Sequence, residues 1–172
     1  MHIVILGNGI TGLSTAQALR KRSPDVRITM VSGETTHPFS RPALMYVYMG
    51  HMRFEDTLIH PAAFYERNRI DLVSGWVARI DAGAQRLHLT DGVAIPYDRL
   101  LLATGSQPNR FGWPGQDLGR VQGLYSAQDL ALLEESSVGL RQAVIVGGGL
   151  IGVELAEMLH SRGVHVVFLV RE

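Results

Sequence analysis

Apolar residues come in short runs along this chain, and the runs recur in a set order. Residues 3–6 form a compact apolar stretch that reads as a buried strand. Leu13, Ala16 and Leu19 then repeat at helical spacing, and residues 27–31 read as the next strand. The same order returns near the far end. Residues 143–146 lead to Val153, Ala156 and Leu159 at helical spacing. Gly163 is placed to close that helix, and residues 165–170 follow as a strand. Each copy predicts strand, tight turn, amphipathic helix and second strand.

The copies also match residue by residue. Val4-Ile5-Leu6-Gly7-Asn8-Gly9-Ile10-Thr11-Gly12 aligns with Val144-Ile145-Val146-Gly147-Gly148-Gly149-Leu150-Ile151-Gly152, and Ala16 with Ala156. Between them the pattern changes. Pro61 is suited to open a short helix through residue 67. Residues 77–80, 87–89 and 93–95 predict short strands, with Asp91-Gly92 as a hairpin turn, and 99–103 predicts another buried strand. Residues 109–123, rich in glycine and proline, read as a connector. Ser126-Ala127-Gln128-Asp129 has the form of a capping box that starts a helix through about residue 135.

Composition narrows the possibilities. With 46% hydrophobic residues, the 172-residue chain can build a core, which argues against disorder. Sixteen basic residues balance 16 acidic ones, so binding nucleic acid by neutralising phosphates is not expected. There is no cysteine, which removes disulfides, thiolate metal sites and thiol nucleophiles from this chain. The seven histidines show no metal-ligand spacing, and no metal site is expected. Ser14 and Ser106 lack a nucleophile-elbow setting. The longest apolar stretch, 143–153, is interrupted by glycine and is far short of the ~20 residues that cross a bilayer. Ala16-Gln17-Ala18 has the look of a signal-peptidase site, but the run before it is short, has no preceding lysine or arginine, and meets Gly7 and Gly9. The expectation is a cytoplasmic protein with no membrane association.

Glycine, at 19 of 172, stands above the average of about 7%, and its placement carries the chemistry. In a G-x-G-x-x-G turn between a parallel strand and a helix, the first glycine permits the turn and the second lets a diphosphate reach bare backbone. The third lets helix and strand pack closely. The helix N-terminus then offers unpaired N–H groups to the anion. Two copies with matched flanks point to dinucleotide binding, and a duplicated structural unit without a ligand is the alternative. The motif also wants an acid after the second strand to bind ribose. Glu34 is so placed, although a solvated loop carboxylate would look the same. In the second copy Val170 takes that position, followed by Arg171 and Glu172. Glu172 could serve the ribose, and Arg171 a 2′-phosphate.

Two such turns, with Leu101-Leu102-Ala103-Thr104-Gly105-Ser106-Gln107-Pro108 between them and Glu154-Leu155-Ala156 after the second, resemble the FAD-dependent pyridine nucleotide–disulfide oxidoreductase superfamily. The loop Pro38-Phe39-Ser40-Arg41-Pro42-Ala43-Leu44 looks like the branch of ferredoxin, rubredoxin and nitrite reductases. The resemblance implies an α/β fold. A Rossmann-like FAD-binding domain, a parallel sheet with helices and a small β-meander, would span 1–115. A connector would follow at 116–141, and 142–172 would begin a second, NAD(P)-binding Rossmann-like unit.

By that likeness Gly7, Gly9, Ile10, Thr11 and Gly12 would hold the FAD diphosphate and Glu34 its ribose. Val77 would present backbone to the adenine, and Thr104 and Gly105 would pass near the cofactor. Arg41 would contact the flavin cofactor, although a surface arginine would read the same way. Gly147, Gly149, Gly152 and Glu154 would serve NAD(P)H. The implied activity is hydride transfer from NAD(P)H to flavin N5 and on to an acceptor that the sequence does not identify. The alternative is a non-catalytic dinucleotide-binding or redox-sensing module.

Three departures qualify the likeness. Met45-Tyr46 stand where the branch often has serine–lysine. The dithiol of the disulfide reductases is absent. The family also continues past the equivalent of Glu172, so this chain is expected to be the N-terminal part of a larger flavoenzyme. An absent C-terminal half or an oligomer mate is then expected to cover the apolar edge at 144–146 and 166–170.

Overall fold

The structure is a computed structural model that describes residues 1–170. It divides into two compact units, Met1–Phe39 with Leu58–Ser106, and Ser40–Thr57 with the residues from Gln107 onward.

The first unit is built on a four-stranded parallel sheet. Its strands are β1 (His2–Leu6), β2 (Arg27–Ser32), β3 (Ile70–Ser74) and β7 (Arg99–Leu102), in the order β3-β2-β1-β7. Strand β1 pairs Leu6 with Val31 of β2 on one side and with Leu102 of β7 on the other. A parallel sheet must be covered on both faces, and the alternation along the strands shows how. Ile3, Ile5, Ile28, Met30 and Ile70 meet Leu13 and Ala16 of helix α1 (Ile10–Arg22) and Tyr65 of helix α3 (Ala62–Arg67). Val4 and Val31 point the other way, onto Leu87, Leu89 and Ile95. Those three belong to an antiparallel meander of β4 (Val77–Asp81), β5 (Arg86–Leu89) and β6 (Ala94–Pro96). The meander therefore does the work of the second helical layer.

The predicted elements are present with small shifts. Pro61 is the N-cap of α3, so the helix starts one residue later than the proline. The hairpin turns at Gly92 (φ +90°), and β6 begins at Ala94. The strand the pattern did not flag is β3. It follows Arg69, which sits in the left-handed region at φ +51°, and its apolar run is broken by Asp71, exposed and paired with Arg27 at 3.2 Å.

The second unit contains α2 (Leu44–Tyr48), α4 (Ala127–Ser136), β8 (Gln142–Val146), α5 (Leu150–Ser161) and β9 (His165–Leu169). The capping box at α4 is formed. Ser126 Oγ accepts from the Asp129 N–H at 3.0 Å, and Asp129 Oδ2 accepts from the Ser126 N–H at 2.8 Å. Gly163 lies in the left-handed region (φ +77°) just past the α5 cap. Strands β8 and β9 pair only with each other among the described residues. The expected apolar exposure follows. Val144, Val146, Leu169 and Val170 are each more than half exposed, whereas Ile145, on the α5 side, is buried. Val4, the counterpart of Val144, is fully buried.

Tyr65 is the one core member of the first unit with a polar tip. Its hydroxyl is buried without a hydrogen-bond partner, and burial pushes its pKa up to about 12. The folded chain therefore keeps this proton at pH values where an unfolded tyrosine, at about 10, has lost it. The stabilising difference is fully present below about pH 10 and is lost as pH rises from about 10 to about 12. Tyr65→Phe removes an unpaired buried hydroxyl. It is expected to leave stability unchanged or raise it by about 1 kcal/mol at neutral pH, and to flatten the alkaline loss. Urea unfolding of both proteins at neutral and alkaline pH measures this.

Candidate functional site

The first glycine turn sits at the carboxyl ends of β1 and β7, where the chain order reverses and an open α/β sheet leaves a crevice. Gly7 takes φ +107°, and its N–H donates to the Val31 carbonyl at 2.8 Å. A Cβ at Gly7 would lie 2.1 Å from the Ala103 carbonyl oxygen, because β7 runs alongside. A Cβ at Gly12 would lie 2.1 Å from the Gly7 carbonyl oxygen, so the helix can sit this close to the strand only without one. Gly9 is different. It has ordinary extended backbone (φ −67°, ψ −175°), and a Cβ there would meet nothing within 4 Å. It is the N-cap of α1, no side chain caps that end, and no acid stands in the first turn. The N–H groups of the first turn, at Ile10, Thr11 and Gly12, belong to a positive helix end with open space before it, a setting that suits an anion. The basic residues Arg20, Lys21 and Arg22 sit at the opposite end, where they complement the dipole.

The neighbouring loops close on this turn within the same unit. Asn8, buried, donates from Nδ2 to the Thr35 carbonyl at 2.7 Å and so ties the glycine turn to the loop after β2. That loop carries Glu34, which is partly buried and whose N–H donates to Ser32 Oγ at 3.3 Å. The Trp76 indole lies against Gly33, where a Cβ would be 2.3 Å from the ring, and it remains 61% exposed. Val77 follows directly and opens β4 opposite Leu89. Thr104 and Gly105 are exposed just past β7, with Gly105 at φ +75°. The first unit thus brings Gly7, Gly9, Ile10, Thr11, Gly12, Glu34, Val77, Thr104 and Gly105 onto the carboxyl-end side of one sheet. Asn8 and Trp76 lie with them. The sequence marks Asn8 only as a polar residue between two glycines, and Trp76 reads from sequence as a packing residue rather than a cofactor stacker, which fits its place against Gly33.

Arg41 lies in the second unit, on a one-turn 3₁₀ segment (Arg41–Ala43) before α2. Its guanidinium stacks over the Tyr125 ring at 4.3 Å and donates to the Tyr125 carbonyl.

The second glycine turn repeats the first. Gly147 takes φ +112°, and its N–H donates to the Leu169 carbonyl at 2.9 Å. A Cβ at Gly152 would lie 2.2 Å from the Gly147 carbonyl oxygen, and one at Gly149 would meet nothing within 4 Å. Gly149 is the N-cap of α5, again with no side-chain cap and no acid in the first turn. Glu154 is partly buried on α5. One difference stands out. A Cβ at Gly147 would also meet nothing, because among the described residues no strand lies where β7 lies beside Gly7. Arg171 and Glu172, the candidate partners of a 2′-phosphate or ribose, lie outside the described residues. Among the described residues, no helix is long and apolar enough to cross a membrane, and no cluster of three or more His, Asp or Glu side chains could hold a metal ion.

The sequence model of the family described as pyridine nucleotide-disulphide oxidoreductase matches residues 1–172. Rhodocoxin reductase of Rhodococcus erythropolis is 36% identical over 168 residues, which cover 96% of this chain and 39% of the relative. NADH-rubredoxin oxidoreductase of Clostridium acetobutylicum is 33% identical, covering 94% of this chain and 42% of the relative. The crystal structure of the ferredoxin reductase for the CYP199A2 system of Rhodopseudomonas palustris matches with a TM-score of 0.85 at 28% identity. That match covers 97% of this chain and 42% of that one. The chain therefore spans about two fifths of the length of these relatives.

The glycines separate binding from folding. Gly9→Val is expected to fold, at a cost of about 1 kcal/mol for a poorer N-cap, while filling the space before the α1 N–H groups and abolishing retention of an adenine dinucleotide. Gly7→Ala meets both a backbone clash and a left-handed φ, and is expected to cost about 3 kcal/mol or more. Gly147→Ala meets only the φ penalty, about 1–2 kcal/mol. Thermal unfolding ranks the three, and cofactor titration of Gly9→Val tests the site.

Proposed function

This chain belongs to the pyridine nucleotide-disulphide oxidoreductase family, and from that premise we propose that it is the N-terminal portion of an FAD-dependent NAD(P)H oxidoreductase of the ferredoxin- or rubredoxin-reductase kind. One observation supports this most. At both turns the third glycine presses against the first glycine's carbonyl, at 2.1 and 2.2 Å for a hypothetical Cβ, while the middle glycine faces open space before an uncapped helix. A merely structural repeat would be served at least as well by serine, asparagine or aspartate at the middle position, each a better helix N-cap than glycine.

In this reading the backbone N–H groups from Gly9 to Gly12 bind the FAD diphosphate, and Glu34 accepts hydrogen bonds from the ribose hydroxyls. Val77 offers its main chain to the adenine, and Thr104-Gly105 pass beside the cofactor without side-chain bulk. The second turn, Gly147, Gly149 and Gly152, takes NAD(P)H, with Glu154 near its nicotinamide end. When bound, the two cofactors supply hydride transfer from nicotinamide C4 to flavin N5 and onward electron delivery. The chain contributes binding and orientation, and needs no general acid or base of its own. It has no cysteine, so it does not itself supply a dithiol relay. The names of the relatives favour a ferredoxin or rubredoxin as the acceptor. A cytoplasmic location belongs to the same proposal.

Purified chain reconstituted with FAD is expected to hold the flavin and to lose its visible absorbance when NADH or NADPH is added under argon. Flavin that is held but not bleached would favour the non-catalytic dinucleotide-binding reading. Failure to hold flavin at all would refute the assignment of the first turn.

A further inference from the structure

Two arginines in the second unit make the same unusual contact. Arg41 stacks over the ring of Tyr125 and donates to the carbonyl of that same tyrosine. Arg162 stacks over the ring of Tyr48, at 3.7 Å from its centroid, and donates to the Tyr48 carbonyl from Nη2 and, at 3.0 Å, from Nε. In each case a planar, five-donor guanidinium grips one residue by face and by main chain, which a lysine could not do.

The Arg162 contact joins three helices. Tyr48 is the last residue of α2, and its carbonyl is one of those a helix end leaves without an intrahelical partner. Arg162 is the C-cap residue of α5. Glu134 of α4 lies 3.7 Å from the Arg162 guanidinium. Helix α2 is only five residues long, too short to be stable alone. Its buried residues are Leu44 and Tyr48, and the Tyr48 hydroxyl is buried without a hydrogen-bond partner. Order in α2 therefore depends on its neighbours, and at its carboxyl end α5 supplies a side-chain anchor, Arg162.

Helix α5 has one end open to a ligand. It packs on strands β8 and β9. Its N-terminus has no side-chain cap, while its C-terminus is closed by Gly163 and carries Arg162. An anion at the mouth of α5 would satisfy N–H groups that nothing else caps, and helix formation is cooperative along its length.

We propose that Arg162 is a positioning residue that couples nucleotide binding at the second glycine turn to the order of α2, the helix that follows the Arg41–Pro42 turn. This rests on the reading of the second turn as a nucleotide site. Binding there stabilises α5, and the guanidinium carries that stabilisation to Tyr48 and so to α2.

Amide hydrogen exchange on the full chain tests this, without NADH and with NADH at about 100 times its dissociation constant. That excess slows exchange through opening of the bound unit by up to about 100-fold. In the wild type, amides of α5 and of α2 are expected to slow together. In Arg162→Met, α5 is expected to slow as before while α2 stays within about threefold of its unliganded rate. Arg162→Lys keeps the charge facing Glu134 but not the stacked fork, and is expected to behave like Arg162→Met. Circular dichroism establishes that each variant is folded, and if Arg162→Met is not, Arg162→Lys carries the test. Slowing of α5 alone in the wild type overturns the coupling and leaves the nucleotide site standing. So does slowing of α2 in either variant. No NADH binding in a separate fluorescence titration overturns the nucleotide site and the coupling with it.

Discussion

A steric constraint that this chain meets twice is the approach of a helix to the carbonyl of the glycine that opens its turn. At Gly12 and again at Gly152 there is room for a hydrogen and for nothing larger. That closeness sets the angle at which each helix leaves its strand, and the angle aims the first-turn N–H groups away from the sheet. The middle glycine then has no packing role. Gly9 and Gly149 have backbone angles any residue could adopt and empty space where a side chain would go. A position that is sterically free is nevertheless glycine in both copies, which leaves the space before each helix end open.

The same unit in two settings shows how much the surroundings contribute. Val4 and Val144 are the same residue at the same place in the repeat. One is fully buried and the other 56% exposed. Burying a valine side chain contributes about 1.5 kcal/mol or more, so the two copies differ in stability although their turns coincide. In the first copy the meander covers one face of the sheet and β7 covers the edge of β1. In the second, neither face partner nor edge strand is present among the described residues. The Cβ position at Gly147 is correspondingly clear, where that at Gly7 faces the Ala103 carbonyl. The glycine turn thus keeps the same local backbone geometry with and without those neighbours. This explains why the motif is so readable in sequence and so similar in both copies.

Legibility followed how local the cause was. Both glycine turns, the strands and helices flanking them, and the Ser126–Asp129 capping box depend on residues within a few positions of one another, and all are visible in the sequence. The meander strands were also visible, but not that they would form the second face of the core. That depends on Leu87, Leu89 and Ile95 meeting Val4 and Val31 across more than fifty residues. Strand β3 was hidden because Asp71 breaks its apolar run and its register is set by pairing with β2. The role of Asn8 was hidden for a related reason, and so was the partner of Trp76, which sequence reads only as a packing residue. A buried asparagine whose partner is the Thr35 carbonyl, and an indole lying on Gly33, have no signature short of the folded loops themselves. The place of 40–57 in the second unit, set by contacts with residues more than eighty positions away, could not be read from periodicity.

That last segment shows what long-range polar contacts add to a fold that short-range rules start. Neither α2 nor the 3₁₀ turn before it has the length to hold itself, and the apolar surface of Leu44 and Tyr48 gives burial without direction. Direction comes from the two guanidinium groups, one at each end, each fixed by a ring face and a carbonyl at once. An arginine held in that way has lost its freedom to follow a flexible loop, so displacement of its tyrosine must move the helix that carries it. For Arg162 that helix is α5, whose other end is a glycine turn with unsatisfied N–H groups. The segment is thus held at its carboxyl end by a helix whose other end lies at the second glycine turn. Its order depends on that helix as well as on its own sequence.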